Sequence, residues 1–265
     1  MKTIITSHKQ TDFDALASIV AATYIYPGST GVVPSEVSSN VSRFLSTHKT
    51  AFELILPKEV KHEQIERLVV VDTGSWQRLD RMDKCKDMDI EIHIWDHHAP
   101  GNIDADKATR EDVGATVTLL IREIEKNEIK LDPLTSTLML LGLYEDTGRL
   151  SFPSTTSEDA RAAAFLLDNG ADLNVAHFFL NPPFEERQKE ILFEMMKHTE
   201  KLNIHNFRIG INIIPLEGKT TTLAGIVSTY RSIINVDAIF AIFVTNGRST
   251  VIARSGTESL NAVSY

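Results

Sequence analysis

Apolar residues in the first hundred positions fall into short runs, and several of these runs end in a polar cluster. Thr3 to Thr6 (TIIT) has the length and character of a buried strand. Asp14 to Tyr24 follows with Leu16, Ile19, Val20 and Thr23 at helical rather than alternating spacing, so strand, polar loop and helix form the first predicted unit. Gly31 to Val33 predicts a second short strand, Leu68 to Val71 (LVVV) a fully apolar one ending at Asp72, and Glu91 to Trp95 (EIHIW) one ending at Asp96. In an open parallel α/β sheet the ligand crevice lies beyond the C-terminal ends of the strands, so these clusters, distant in sequence, are expected to converge there.

The pattern then turns helical. Gly114 to Lys126 and Asp132 to Tyr144 predict two helices, the second apolar nearly all round and therefore buried, with Asp132 before Pro133 as its N-cap. Ser157 to Leu167 predicts a third, with Ser157 as N-cap and Asn169-Gly170 closing it. Asn181-Pro182-Pro183 interrupts, and Phe184 to Lys201 reads as a charged, solvated linker helix. Beyond it, strands at Phe207 to Ile214, Asp237 to Val244 and Thr250 to Arg254, with a helix at Leu223 to Ile233, predict a second αβ unit. The expected class is α/β, a mainly parallel sheet flanked by helices in residues 1–185 and a smaller α/β domain in 186–265.

Composition narrows the picture in three ways. The formal charge of −9 argues against a broad basic surface for long nucleic acid, although a local groove is compatible with it. The single cysteine, Cys85, leaves no intrachain disulfide and no thiolate metal site, which fits a reducing, cytoplasmic setting. No signal-peptide core and no membrane-length apolar run is present, so a soluble protein is expected.

The candidate chemistry sits in the polar clusters. His8, Asp12 and Asp14 share one loop, Asp72 ends VVVDTG, Asp96-His97-His98 ends IWDHH, and Asp146 closes a buried helix in GLYEDTG. Any one of these aspartates alone reads as a cap or turn residue; two adjacent histidines at a strand end do not. Carboxylates packed this closely would repel and protonate, so bound cations are the natural compensation. Oxygen and imidazole ligands without sulfur suit Mn²⁺ or Mg²⁺. Eight candidates are too many for one ion, whereas two ions about 3.5–4 Å apart, sharing a carboxylate, suit phosphoester hydrolysis.

The run SHKQTDFDALAS, then VVVDTG, DHH and EDTG, resembles in order and separation the four motifs of the DHH phosphoesterase family. The resemblance implies a Mn²⁺-preferring two-metal hydrolase in which His8 and Asp12 hold the first metal, Asp14, His97 and Asp146 the second, and Asp72 bridges. It further implies that Asp96 orients His97 and that His98 faces the substrate phosphate, with Asp72, Asp96 and His98 the catalytic set. DAIFAIFV followed by TVIARSG is similar to the DHHA1 substrate domain rather than the pyrophosphatase-type partner, and there Arg254 and Ser255 match a position contacting substrate phosphate. The family pattern continues into a glycine-rich GGGH loop, whereas this sequence stops at Ser264-Tyr265, so a fragment is expected. FDALAS and Ile25-Tyr26-Pro27 most resemble the N-terminal module of longer bacterial proteins that continue into CBS domains and a tRNA nucleotidyltransferase or poly(A) polymerase-like domain.

The implied substrate is short RNA or a nucleotide. A regulatory nucleotide- or RNA-binding module without turnover, and a phosphatase for a 3′,5′-bisphosphonucleoside, are the competing readings. Oligomeric state, a homo-oligomer included, stays open. No phosphate-cradling glycine loop is present. His48, His62, His177, His198 and His205 read as unpartnered surface residues, and Lys2, Lys9 and Arg110 as cations that spacing does not place in a groove.

Overall fold

The computed structural model describes residues 2–48, 50–181, 184–216, 223–245 and 247–255. The chain divides into two compact units, residues 1–182 and 183–265.

In the first unit, β1 (Thr3–Thr6), α1 (Phe13–Ile25), β2 (Thr30–Val32), α2 (Ser39–Thr47), β3 (Leu54–Ile55), β4 (Arg67–Val71), β5 (Glu91–Asp96) and β6 (Lys107–Arg110) precede four helices. These are α3 (Thr116–Lys126), α4 (Pro133–Asp146), α5 (Ser157–Asp168) and α6 (Leu173–Leu180). All six strands are parallel, in the order β3-β2-β1-β4-β5-β6. The order reverses between β1 and β4, and such a switch point opens a crevice beyond the strand ends. His8 follows β1 and Asp72 follows β4, so both stand at that crevice.

Strands β1, β4 and β5 are buried on both faces because both faces are covered. Ile5, Val69, Val71 and Trp95 join the helix-side core with Phe13, Leu16, Leu120 and Leu138, while Ile4, Leu68, Val70 and Ile94 pack against Trp76, Leu79, Met82 and Cys85 in short 3₁₀ turns. Asp132 caps α4 as expected, accepting from the N–H groups of Leu134 and Thr135 at 3.0 Å. The N-cap of α5 is Thr156, not Ser157: Thr156 and Asp159 form a reciprocal capping box, which Ser157 one residue later would not close.

The second unit contains α7 (Glu186–His198), β7 (Glu200–Ile204), β8 (Phe207–Pro215), α8 (Leu223–Ile233), β9 (Ala238–Thr245) and β10 (Arg248–Ser255). Its sheet runs β10-β9-β8-β7, with β8 and β9 parallel and the outer pairs antiparallel. The expectation of a solvated linker helix through Lys201 is corrected here. Helix α7 ends at His198, residues 200–204 form a strand against β8, and Ile191 and Met195 of α7 are buried with Ile226, Tyr230, Ile239 and Phe243. No helix among the described residues is long and apolar enough to cross a membrane.

One close approach couples the scaffold to the site. A Cβ on Gly142 of α4 would stand 2.8 Å from Ala17 Cβ and Phe13 O and 3.0 Å from Asp14 Cα, so α1 and α4 touch backbone to backbone beside Asp14. Alanine there gains about 1 kcal/mol of helix propensity, but overpacking costs roughly 1–3 kcal/mol. We expect Gly142→Ala to be less stable by about 1 kcal/mol in urea unfolding and Gly142→Val by more; an unchanged midpoint in both would show that the two helices separate freely.

Candidate metal centre

The ends of β1 and β4 are tied together: the Ser7 hydroxyl donates to the Val71 carbonyl at 2.7 Å, and Lys9 N–H to the Arg78 carbonyl at 2.8 Å. This holds His8 with Nδ1 2.8 Å from the Lys9 carbonyl, so Nδ1 carries the hydrogen and Nε2 faces Asp72 Oδ2 at 3.1 Å and Asp12 Oδ2 at 3.9 Å. Asp12 is also the N-cap of α1, its Oδ1 accepting from Ala15 N–H at 3.0 Å. One carboxylate oxygen thus starts the helix and the other faces the cluster.

Asp14, in the first turn of α1, is fully buried, and the N-terminus of α3 grips it: Thr116 N–H donates to Oδ2 at 2.7 Å and Val117 N–H to Oδ1 at 2.9 Å. Thr116 also donates its hydroxyl to Asp72 Oδ1 at 2.8 Å. Asp72 leaves β4 with φ of +59°, a left-handed conformation that aspartate tolerates and that turns the chain out of the sheet. Its two oxygens face different neighbours. Oδ2 meets His8, while Oδ1 meets Thr116 and lies 3.7 Å from His97 Nε2 and 3.6 Å from His98 Nδ1.

His97 repeats the logic of His8. Its Nδ1 lies 3.0 Å from the Val113 carbonyl, which leaves Nε2 aimed at Asp146 Oδ2, 3.4 Å away, buried and without a hydrogen-bond partner among the described residues. Asp96 does not orient His97, contrary to the expectation from the family pattern. Asp96 Oδ1 turns back onto His98, accepting from its backbone N–H at 3.1 Å and lying 2.9 Å from its Nδ1, because the chain bends locally after β5. His98 keeps 47% of its side chain exposed against 14% for His97, so of the pair it is the one open to solvent.

His8, Asp12 and Asp72 form one ligand-ready group, Asp14, His97 and Asp146 a second, and Asp72, His97 and His98 a third, each with its ligand atoms within 4.8 Å of one another. Burial and then the Asp72 charge push both the Asp12 and Asp14 carboxyls up, Asp14 strongly, while hydrogen bonding and charge from His8 outweigh burial and hold Asp72 down. Both histidines present Nε2 to carboxylates from a ring whose other nitrogen is committed to a carbonyl. A divalent cation fits that donor set better than a proton.

Arg254 and Ser255 lie at the end of β10 in the second unit, where Arg254 Nε donates to the Ser228 hydroxyl at 3.2 Å and Nη1 to the Ala253 carbonyl at 3.0 Å. Four discounted histidines have partners after all: His48 packs on Phe44 and Phe179, His62 Nε2 lies 3.1 Å from the Arg81 carbonyl, His177 Nδ1 lies 3.3 Å from Asn181 Nδ2, and His198 Nδ1 lies 3.0 Å from the Glu194 carbonyl. The sequence reading missed Thr116, hidden inside a predicted helix, and Glu145, whose carboxylate accepts from Phe13 N–H at 2.6 Å and is pushed by burial up to about 7. An acidic residue directly before Asp146 was the available signal for Glu145.

An aspartate and histidine cluster at the switch point of a parallel sheet is the arrangement of a metal-dependent phosphoesterase, and comparison with known proteins assigns the family. Residues 2–143 match the N-terminal domain of the DHH family, and the chain belongs to that family. It is 33% identical over 263 residues to an A-adding tRNA nucleotidyltransferase of Geobacter sulfurreducens, covering 98% of this chain but 30% of that protein. A protein of Lactobacillus acidophilus assigned as a manganese-dependent inorganic pyrophosphatase is 25% identical over 230 residues, 81% of this chain and 71% of that one. Among solved structures, an exopolyphosphatase-related protein from Bacteroides fragilis shares the fold with a TM-score of 0.76 at 17% identity, covering 97% of this chain and 80% of that chain.

Two outcomes follow from the geometry. In the metal-free chain burial lowers the pKa of His97, but Asp146, the Val113 carbonyl and Asp72 outweigh it and push it up to about 9 from 6.5. Protonated His97 therefore stabilises the metal-free chain in full below about pH 6.5, and this contribution is lost as pH rises through about 9. The thermal midpoint of EDTA-treated protein should fall across that interval, less so in His97→Gln; identical profiles for the two would contradict the assignment. Thr116→Val should weaken Mn²⁺ binding about tenfold while Thr116→Ser preserves it, measured by calorimetry; equal affinities in the two would remove the hydroxyl from the site.

Proposed function

We propose that His8, Asp12 and Asp72 hold one divalent cation, that Asp14, Asp72, His97 and Asp146 hold a second, and that the centre hydrolyses phosphodiester bonds in short RNA or a nucleotide. The observation that carries the reading is the division of Asp72, one oxygen toward His8 and the other toward His97 and His98. A carboxylate so divided suits a bridge. Ligands of oxygen and imidazole favour manganese, with magnesium second, and the manganese-dependent assignment of a relative points the same way.

When bound, two cations supply Lewis-acid charge stabilisation at the phosphoryl group and lower the pKa of an attacking water. The chain's own groups do the rest. Asp14 and Asp72 are held in place by Thr116 before any ligand arrives, so little reorganisation is needed. The hydrogen bond to Asp96 Oδ1 raises the pKa of His98, which favours the protonated form of this half-exposed imidazole and suits it to receive the charge that develops on a phosphate.

The second unit, through β9 and β10, serves on this reading as a DHHA1-like substrate domain in which Arg254 and Ser255 contact substrate phosphate. The likeness to A-adding tRNA nucleotidyltransferases supports a role as one module of a longer RNA-processing protein; on the family resemblance that protein is cytoplasmic and carries CBS and nucleotidyltransferase domains. The test is hydrolysis of a 5′-labelled oligoribonucleotide with Mn²⁺, alongside a 3′,5′-bisphosphonucleoside, pyrophosphate, an EDTA control and Asp72→Asn. Release of mononucleotide, abolished by EDTA and lowered at least a hundredfold by Asp72→Asn in a folded protein, is expected. Turnover of pyrophosphate or bisphosphonucleoside alone would replace the substrate assignment, and full activity in Asp72→Asn would overturn the bridge.

A further inference from the structure

Arg110 is a cation that the metal-centre reading leaves unused. It ends β6, the edge strand, and the parallel register places it beside Asp96 at the end of β5. Asp72 follows β4, its N–H donating to the Trp95 carbonyl at 2.8 Å, so Asp72, Asp96 and Arg110 terminate three neighbouring strands at one edge of the sheet. Four carboxylates gathered at that edge would repel an anionic substrate, and a guanidinium there opposes the repulsion.

The arginine does not use the obvious partner. Among the described residues no ion pair joins it to Asp96, although Asp96 Oδ2 is itself buried without a hydrogen-bond partner. Its side chain reaches past β5 to the loop after Asp72. Nη2 lies 3.5 Å from the point where a Cβ on Gly74 would stand, beside the contact between the Gly74 and Gly101 backbones. Both Nε and Nη2 are buried, and neither has a partner among the described residues, while the residue as a whole is only partly buried. The other cations noted with it are engaged: Lys2 Nζ donates to Gln64 Oε1 at 3.2 Å and Lys9 Nζ to the Gln77 carbonyl at 3.4 Å. A guanidinium cannot shed its charge, so desolvated and unpaired N–H groups leave it a donor fork for an anion.

We propose that Arg110 is a phosphate-binding arginine of the first unit, taking phosphoryl oxygens of the substrate at the edge where the metal ligands converge. This rests on the phosphoesterase reading and adds a substrate contact to it. The planar fork matches two oxygens of one phosphate, which an ammonium does not.

The experiment is calorimetric titration of inorganic phosphate into the Mn²⁺-loaded 265-residue chain, for wild type, Arg110→Ala and Arg110→Lys. Manganese stoichiometry and thermal midpoint are measured on the same samples. Arg110→Ala should bind phosphate about tenfold more weakly and Arg110→Lys less so, both with unchanged manganese stoichiometry. Phosphate affinity within twofold of wild type in a folded, manganese-loaded Arg110→Ala overturns the assignment. A lowered thermal midpoint with unchanged phosphate affinity in both variants does the same and gives the arginine a packing role beside Gly74. A wild-type chain that binds no manganese is a distinct result, which overturns the metal-centre reading beneath the proposal.

Discussion

Asp12, Asp14, Asp72 and Asp146 crowd one end of a parallel sheet, and the repulsion among these four carboxylates is the constraint the rest of the molecule is arranged to meet. Burial sharpens it, since Asp14 and Asp72 have almost no access to solvent. Part of the answer is built in. Main-chain N–H groups at the start of α3 cap Asp14, a hydroxyl caps Asp72, and the N-terminal turn of α1 caps Asp12. The remainder is left to imidazoles whose Nε2 atoms turn inward, and a metal satisfies those nitrogens and the carboxylates together.

The fold delivers these groups because of strand order. Reversal between β1 and β4 puts His8 and Asp72 on adjacent strand ends, and the next strand supplies Asp96 to His98. Helices complete the set from the other side. Gly142 lets α4 lie against α1, so Asp146 at the end of one helix and Asp14 at the start of the other face the same small volume. Thr116 then spans the two ligand groups with its amide on Asp14 and its hydroxyl on Asp72. A displacement of α3 would disturb both groups together.

Strands β1, β4 and β5 were legible in the sequence because a strand buried on both faces must be written as an unbroken apolar run, and the residues that end those runs mark the crevice. The edge strands β3, β6 and β7 leave no such trace, although β10, also an edge, was legible. Lys107–Arg110 is half exposed, Leu54–Ile55 is two residues long, and Glu200–Ile204 is exposed throughout, so none carries a periodic signal. The residues that the fold gathers into ligand-ready groups could be picked out from their types and positions, but the wiring between them could not. Asp96 pairs with His98 rather than His97 because of a turn only two residues long, and Val113, 16 residues further on, supplies the carbonyl that fixes His97. Thr116 looks like any helix-start threonine until α3 closes on α1. Contacts of this kind depend on tertiary docking, which local pattern does not encode.

The central claim is that one carboxylate joins two metal sites. Electron paramagnetic resonance of the chain titrated with Mn²⁺ tests it directly, because manganese ions sharing a carboxylate are exchange-coupled and isolated ones are not. The account predicts two ions per chain with a coupled signal that Asp72→Asn abolishes. A single bound ion, or two with the spectrum of independent sites, would contradict it.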